Sequence, residues 1–227
     1  MRIILTRPAE DAAPLAAKLL QLGHSPIIMP LLKIVARPSI EMPSKNYQAI
    51  CLTSANAVRV LNDISAFKNI PLFAVGQQSM QMAIEKGFAH VSAHGGDVTG
   101  LHRFLASQLM PHNGPILYLS GSETSGDLQG RLQSSGFEVD RFITYDAVKA
   151  GISAFQSDII GAEAVLLYSP RTAKLWVYEI ETLKLSETAS RIKHICLSPN
   201  VAANLPQSWP RAIAENPTET SLLALLD

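Results

Sequence analysis

The chain has 227 residues and 24.6 kDa, 47% hydrophobic and 17% charged, with 19 Lys+Arg against 19 Asp+Glu. That apolar share, in a length suited to one large domain or two small ones, excludes disorder and a disulfide-stapled miniprotein. A formal charge of zero speaks against a general nucleic-acid or anionic-membrane binder, since such proteins gather excess Lys and Arg. No run reaches the ~20 apolar residues of a membrane span, and residues 1–8 show no signal-peptide pattern, so a cytoplasmic location is expected.

In chain order, short apolar runs alternate with segments of helical apolar spacing, the pattern of a parallel α/β sheet. Residues 3–6 predict a strand and residues 10–22 a helix with Leu15, Leu19 and Leu22 on one face and Gly23 as its stop. Strands are then predicted over 25–29, 49–53, 72–75, 116–120, 138–142, 164–168 and 193–197. Helices are predicted over 56–64, 79–86, 98–109, 127–134, 172–181 and 218–226. Residues 31–43 and 146–156 follow strand-like runs and lack a helical period, which marks them as candidate crossings between domains. Cys51 and Cys196 lie in apolar runs and read as buried thiols.

The chain also resembles itself. Leu15-Ala16-Ala17-Lys18-Leu19-Leu20-Gln21-Leu22-Gly23 recurs as Leu128-Gln129-Gly130-Arg131-Leu132-Gln133-Ser134-Ser135-Gly136, and Leu52-Thr53-Ser54-Ala55-Asn56-Ala57 as Leu167-Tyr168-Ser169-Pro170-Arg171-Thr172. Looser echoes join Val75-Gly76-Gln77-Gln78-Ser79 to Leu197-Ser198-Pro199-Asn200-Val201, and Asp97-Val98-Thr99-Gly100-Leu101 to Thr218-Glu219-Thr220-Ser221-Leu222. Four pairs in the same order indicate two homologous α/β halves. They could follow one another, divided near His112-Asn113-Gly114, or exchange a βα unit so that one lobe is discontinuous. Periodicity does not choose between the two.

Open parallel sheets bind ligands at the carboxyl ends of their strands, where loops and helix N-termini aim N–H groups outward. The expected strand-end loops carry Thr6 and Arg7; Thr53 and Ser54; Gly76 and Ser79; Ser120 and Gly121; Ser169 and Arg171; and Ser198 and Asn200. Hydroxyls, amides and glycines in these places suit carboxylates or phosphates, although singly each also reads as a helix cap. No Walker loop, dinucleotide fingerprint or nucleophile elbow is present, and the six histidines show no metal-ligand spacing, so no metal site is expected. Tyr145 falls just past the end of the strand predicted over 138–142 and before a candidate crossing, where a phenol could donate a proton in a water-poor cleft.

Taken together, Thr6-Arg7-Pro8, Leu52-Thr53-Ser54-Ala55-Asn56-Ala57-Val58, Ala74-Val75-Gly76 with Gly87-Phe88, the run ending in Gly136 before Tyr145, and Ser169-Pro170 resemble the uroporphyrinogen-III synthase family over nearly the whole chain. The resemblance implies two flavodoxin-like α/β lobes, each a parallel sheet with helices on both faces, joined by a two-stranded connection with a cleft between them. One lobe would comprise residues 1–36 with 147–227 and the other 37–146. It also implies a cytoplasmic, cofactor-independent, monomeric lyase of tetrapyrrole (heme) biosynthesis, which closes hydroxymethylbilane into uroporphyrinogen III with inversion of ring D. Tyr145 matches the family's recurrent tyrosine and would assist the leaving hydroxyl, directly or through a water. Arg7, Thr53, Ser54, Gly76, Ser79, Ser120, Gly121, Ser169, Arg171 and Asn200 would meet substrate carboxylates. A transient contact with the hydroxymethylbilane synthase that makes the substrate is left open.

The chain departs from the family pattern at Ser120 and Ser125, where bacterial relatives often carry arginines, and at Asn200-Val201, where they often place hydroxyls. The residues by themselves also suit a bilobal small-molecule binding or sensor module without catalysis, and the departures keep an inactive homologue in view.

Overall fold

Ile3 and Leu5 of the first strand pack into one apolar cluster and Ile4 into another, and all three are fully buried. That is the signature of a strand covered on both faces, and it recurs in the central strands of this computed structural model, which describes residues 1–38 and 45–226. The first half of the chain forms β1 (Arg2–Leu5), α1 (Ala9–Gln21), β2 (Ser25–Ile28), β3 (Leu32–Ala36), β4 (Ala49–Leu52), α2 (Asn56–Arg59), β5 (Leu72–Ala74), α3 (Gln77–Lys86), β6 (Val91–Ala93) and α4 (Val98–Gln108). The second forms β7 (Ile116–Gly121), α5 (Leu128–Ser134), β8 (Val139–Lys149), α6 (Gln156–Ile160), β9 (Ala164–Leu167), α7 (Pro170–Thr182), α8 (Ser186–Ala189), β10 (Lys193–Cys196), α9 (Pro199–Ala202), β11 (Arg211–Ile213) and α10 (Glu219–Leu223).

The contacts divide these elements into two compact units, Met1–Lys33 with Val148–Asp227, and Ile34–Ala147. The first holds a parallel sheet in the order β11-β10-β9-β1-β2. On one face α1 and α10 bury Ala12, Leu15, Leu19 and Leu222; on the other, α7 and α9 bury Ala173, Trp176, Ile180 and Val201. The second sheet runs β3-β8-β7-β4-β5-β6. There α4 and α5 bury Leu101, Leu105, Leu128 and Leu132 against one face, and α2 and α3 bury Ala57, Val58 and Ala83 against the other. Cys51 and Cys196 are buried free thiols within these cores.

The internal repeat now has a structural meaning. The sequence halves follow one another, but each unit combines the first βα pair of one half with the three later strands of the other, so that β2-β1-β9-β10-β11 and β8-β7-β4-β5-β6 are equivalent orders. All four repeated segments fall at equivalent places. Gly23 and Gly136 end α1 and α5 with φ of 80° and 88°, a left-handed conformation that a side chain resists. Asp97 and Thr218 cap α4 and α10 by accepting from the N–H groups of Gly100 and Ser221.

Three sequence expectations change. The strand predicted over 138–142 continues to Lys149, because β3 lies alongside it: Arg37 N–H donates to the Thr144 carbonyl (2.9 Å) and Ala150 N–H to that of Leu31 (3.0 Å). This ribbon occupies much of both candidate crossings, although residues 39–43 of the first lie outside the described residues. The helix predicted over 56–64 stops at Arg59, and downstream the Asp63 carboxylate accepts from Ser65 N–H (2.8 Å), a side-chain turn that competes with helix. The helix predicted over 218–226 is only Glu219–Leu223. The short strands β6 and β11 offered no apolar alternation to read, being three residues each and partly exposed.

One buried group couples this fold to pH. His194, fully buried in β10, donates from Nδ1 to the Pro210 carbonyl (3.0 Å), accepts at Nε2 from the Trp176 indole N–H (3.0 Å), and stacks on Trp209. Only the neutral ring satisfies both bonds. Burial, reinforced by the Arg211 charge and opposed by backbone acceptors, lowers its pKa to about 4. The unfolded chain therefore binds this proton near pH 6.5 and the folded chain only near 4, so the contribution is complete above pH 6.5 and is lost as pH falls towards 4. Between pH 7 and pH 5 the loss should be about 2 kcal/mol in denaturant unfolding. His194→Gln should be less stable at pH 7 but lose less over the same interval; an equal loss would remove His194 as the cause.

Candidate active site

In the Ile34–Ala147 unit, the carboxyl end of the sheet gathers hydroxyls around β7 and β8. The two strands pair in parallel with Leu119 opposite Phe142 and Ser120 opposite Ile143, but Gly121 lies opposite Tyr145. Two residues of β8 thus span one step of β7, a β-bulge at Thr144. The bulge resets the alternation. A regular strand would place Tyr145 on the face of Arg141, whereas here it joins Phe142 in the apolar cluster beneath α2 and α3. The sequence reading put Tyr145 just beyond a strand end, and the structure corrects this to a position within β8.

The phenol lies directly on Gly121. A Cβ added there would fall 2.6 Å from Tyr145 Cζ and 2.9 Å from its hydroxyl, closer than real Cβ atoms come. Ser122 N–H donates to the Tyr145 carbonyl (3.0 Å), and Tyr145 itself is largely buried. Its chain neighbour Asp146 is paired with Arg37 through two bonds, Nε to Oδ2 (2.8 Å) and Nη2 to Oδ1 (3.0 Å). That guanidinium, with Ser122, holds the Asp146 carboxyl down at about 2. Asp146 is thus ionised at neutral pH and has no proton to give.

Ser120 is buried, donating to the Gly121 carbonyl (3.0 Å) and accepting from Arg141 Nε (2.9 Å). The Thr53 hydroxyl, just past β4, lies 3.1 Å from that of Tyr118 in β7, whose phenol burial pushes up. The Arg141 guanidinium lies 6.0 Å from the Tyr118 ring centre, so Thr53 joins the Ser120–Gly121–Tyr145 group through Tyr118 and Arg141. Ser54 closes a turn, its hydroxyl accepting from Asn56 N–H (3.3 Å). Gly76 precedes α3 in extended conformation with open space around it. Ser79, expected at a loop, instead lies buried in the first turn of α3.

In the other unit, Thr6 is buried and donates to the Leu166 carbonyl (2.7 Å). Arg7 follows it, with its guanidinium 4.9 Å from the Tyr168 ring centre and 3.7 Å from a Glu219 carboxylate oxygen. The Tyr168 hydroxyl is buried without a hydrogen-bond partner among the described residues, and burial pushes its phenol up. Ser169 caps α7 in a reciprocal box with Thr172, each accepting from the other's N–H at 3.1 Å. Arg171 is half-buried in the first turn of α7; Asn200 is exposed on α9 and accepts at its carbonyl from Asn204. Among the described residues, no group of three or more His, Cys, Asp or Glu is placed to hold a metal ion.

Sequence reasoning missed Tyr118, Arg141, Thr144 and Tyr168. Arg141 left a readable sign: it shares strand parity with Val139, which is buried, and a guanidinium at such a position needs oxygen acceptors. The bulge at Thr144 left none.

The overlap at Gly121 yields a stability test. Gly121→Ala should cost about 1–3 kcal/mol in denaturant unfolding, because the Tyr145 ring or the strand must shift. Gly76→Ala, with extended backbone and open space, should change stability by less than about 0.5 kcal/mol. Equal effects at the two positions would contradict the packing described.

Comparison with known proteins adds to this geometry. The family model described as "Uroporphyrinogen-III synthase HemD" matches residues 13–224. The "Porphyrin biosynthesis protein HemD" of Ruminiclostridium josui is 27% identical over 161 residues, 64% of this chain and 32% of that protein, so the match spans about a third of the relative's length. Among solved structures, uroporphyrinogen-III synthetase from Helicobacter pylori is similar at TM-score 0.66 and 19% identity, over 100% of this chain and 98% of that one. A mutant uroporphyrinogen III synthase from Thermus thermophilus is similar at TM-score 0.56 and 14% identity, over 100% and 97%. At these identities the structural likeness speaks for the fold, a mixed α/β architecture of parallel sheets flanked by helices. The family match reaches across both units and nearly the whole sequence, and the chain belongs to the uroporphyrinogen-III synthase HemD family.

Proposed function

We propose that this chain closes hydroxymethylbilane into uroporphyrinogen III with inversion of ring D, and that Tyr145 is its proton donor. The observation that carries the reading is the family match over residues 13–224, which includes every candidate position except Arg7. The chemistry suits a protein rich in placed hydroxyls. A proton from the Tyr145 phenol assists the terminal hydroxyl to leave as water, giving an electron-poor azafulvenium cation. The substituted carbon of ring D attacks it to form a spiro intermediate. One bond of that intermediate then breaks and re-forms at the other position of the ring, which turns it over, and loss of a proton returns the phenol to its starting state. Pyrrole electrons drive each step, so the protein's task is to assist departure, hold the curled chain and exclude uncontrolled closure.

The proposed carboxylate contacts differ in how they would act. Arg7, Arg171, Thr53, Ser54, Gly76 and Asn200 lie at strand ends or in first helical turns, where cations, hydroxyls and backbone N–H groups suit anions. Ser79, Ser120, Gly121 and Ser169, which are buried or bonded within their own elements, would act mainly by shaping that backbone. We further propose a cytoplasmic monomer that receives its unstable substrate by transient contact with hydroxymethylbilane synthase. The neutral charge and the absence, among the described residues, of any helix long and apolar enough to cross a membrane are consistent with this setting.

A coupled assay tests the reading: hydroxymethylbilane is generated in situ, the products are oxidised, and the type I and type III uroporphyrins are separated. Isomer III should predominate, and Tyr145→Phe should lower kcat by about 100-fold with the fold intact. Isomer I alone from folded protein would overturn the activity in favour of a non-catalytic binding module.

A further inference from the structure

We propose that Arg141 is a positioning residue for Tyr145, acting through the end of β7; the inference rests on the reading of Tyr145 as proton donor. Arg141 and Tyr145 sit on opposite faces of β8, so the guanidinium does not approach the phenol from its own side. It works from beneath. Nε donates to the Ser120 hydroxyl (2.9 Å), and Nη2 donates to the carbonyls of Gly121 (2.8 Å) and Ser122 (2.9 Å). Gly121 is the residue on which the phenol rests, and Ser122 N–H donates to the Tyr145 carbonyl. One planar group therefore fixes the two successive peptides that follow Gly121, together with the Ser120 hydroxyl before it.

This matters because the bulge is a local defect in the ladder. Restoring regular pairing at Thr144 would shift the following residues by one and turn Tyr145 to the opposite face. Charge-assisted bonds to Gly121 and Ser122 hold β7 in the geometry that matches the bulged strand, and they offset the cost of half-burying a cation. The planar fork is what allows three acceptors to be met together. A lysine ammonium on the same stem would be a single point of donation.

The test is a double-mutant cycle on the full chain, with kcat, KM and isomer III yield measured in the coupled assay. Arg141→Gln should lower kcat about tenfold or more, with KM changed less than about twofold. In a Tyr145→Phe background the same substitution should cost less than about twofold, because the group it positions is gone. Equal losses in both backgrounds would overturn the inference while leaving Tyr145's role standing. A raised KM with unchanged kcat would overturn it too, placing Arg141 on substrate. Full turnover in Tyr145→Phe alone would remove the underlying reading and Arg141's role with it. If Arg141→Gln does not fold, Arg141→Lys replaces it in the same cycle. The lysine variant should lose kcat in the Tyr145 background and not in the Phe background, and equal losses would again overturn the inference.

Discussion

Burial of both faces of each parallel sheet is the constraint from which the rest of this structure follows. Ile3, Ile4 and Leu5 in one sheet and Ile50, Cys51 and Leu52 in the other are wholly enclosed, so none of these strands has a face to spare for polar chemistry. Along these two strands polar groups are confined to the ends, where backbone N–H groups and helix starts emerge. Even there, most are used by the fold itself: Thr6 on a neighbouring carbonyl, Ser169 in a capping box, Ser120 between Arg141 and its own strand.

Tyr145 is the instructive exception. A phenol on an apolar face would ordinarily be core, and the ring does pack with Phe142 and Leu119. Two small irregularities give it a distinct position. The bulge carries it to the face of Phe142, and the missing side chain at Gly121 lets the ring settle onto the backbone of β7. Asp146, one residue on, has its carboxyl held low by Arg37 and has no proton to give at neutral pH. A candidate site made in this way is assembled by strand register more than by loop sequence.

That origin explains how much could be read beforehand. The central strands and the amphipathic helices α1, α3, α4 and α7 follow from apolar periodicity, and the duplication from four ordered repeats, because both reflect local side-chain burial. Tyr145 and Gly121 were legible as residues of interest, but their contact was not: a bulge depends on which residue of β7 faces which of β8, a pairing invisible along either strand alone. The ribbon of β3 and β8 escaped for a related reason. Its residues 146–149 gain their extended conformation from a partner more than one hundred positions away, and they carry no buried alternation of their own. Arg141 was overlooked because its acceptors, Gly121 and Ser122, are backbone carbonyls, which have no residue identity to recognise.

The exchanged duplication adds a consequence for assembly. In Ile34–Ala147 every strand comes from one continuous stretch, whereas the other sheet needs β1 beside β9, residues separated by the entire inserted unit. During synthesis the continuous unit can complete its sheet first, while β1 and β2 wait for β9 to emerge. Thr6 is a residue on which that delay bears, since its hydroxyl bonds to Leu166 and both are fully buried. Until β9 arrives, the apolar faces of β1 and α1 lack their partner surface and are exposed to wrong association. Folding the inserted unit brings the ends of the long connection together on one ribbon, which shortens the effective loop that β1 and β9 must close and lowers its entropic cost. The order of folding is thus biased towards the unit that carries Tyr145, and the discontinuous sheet is completed upon a chain already drawn together.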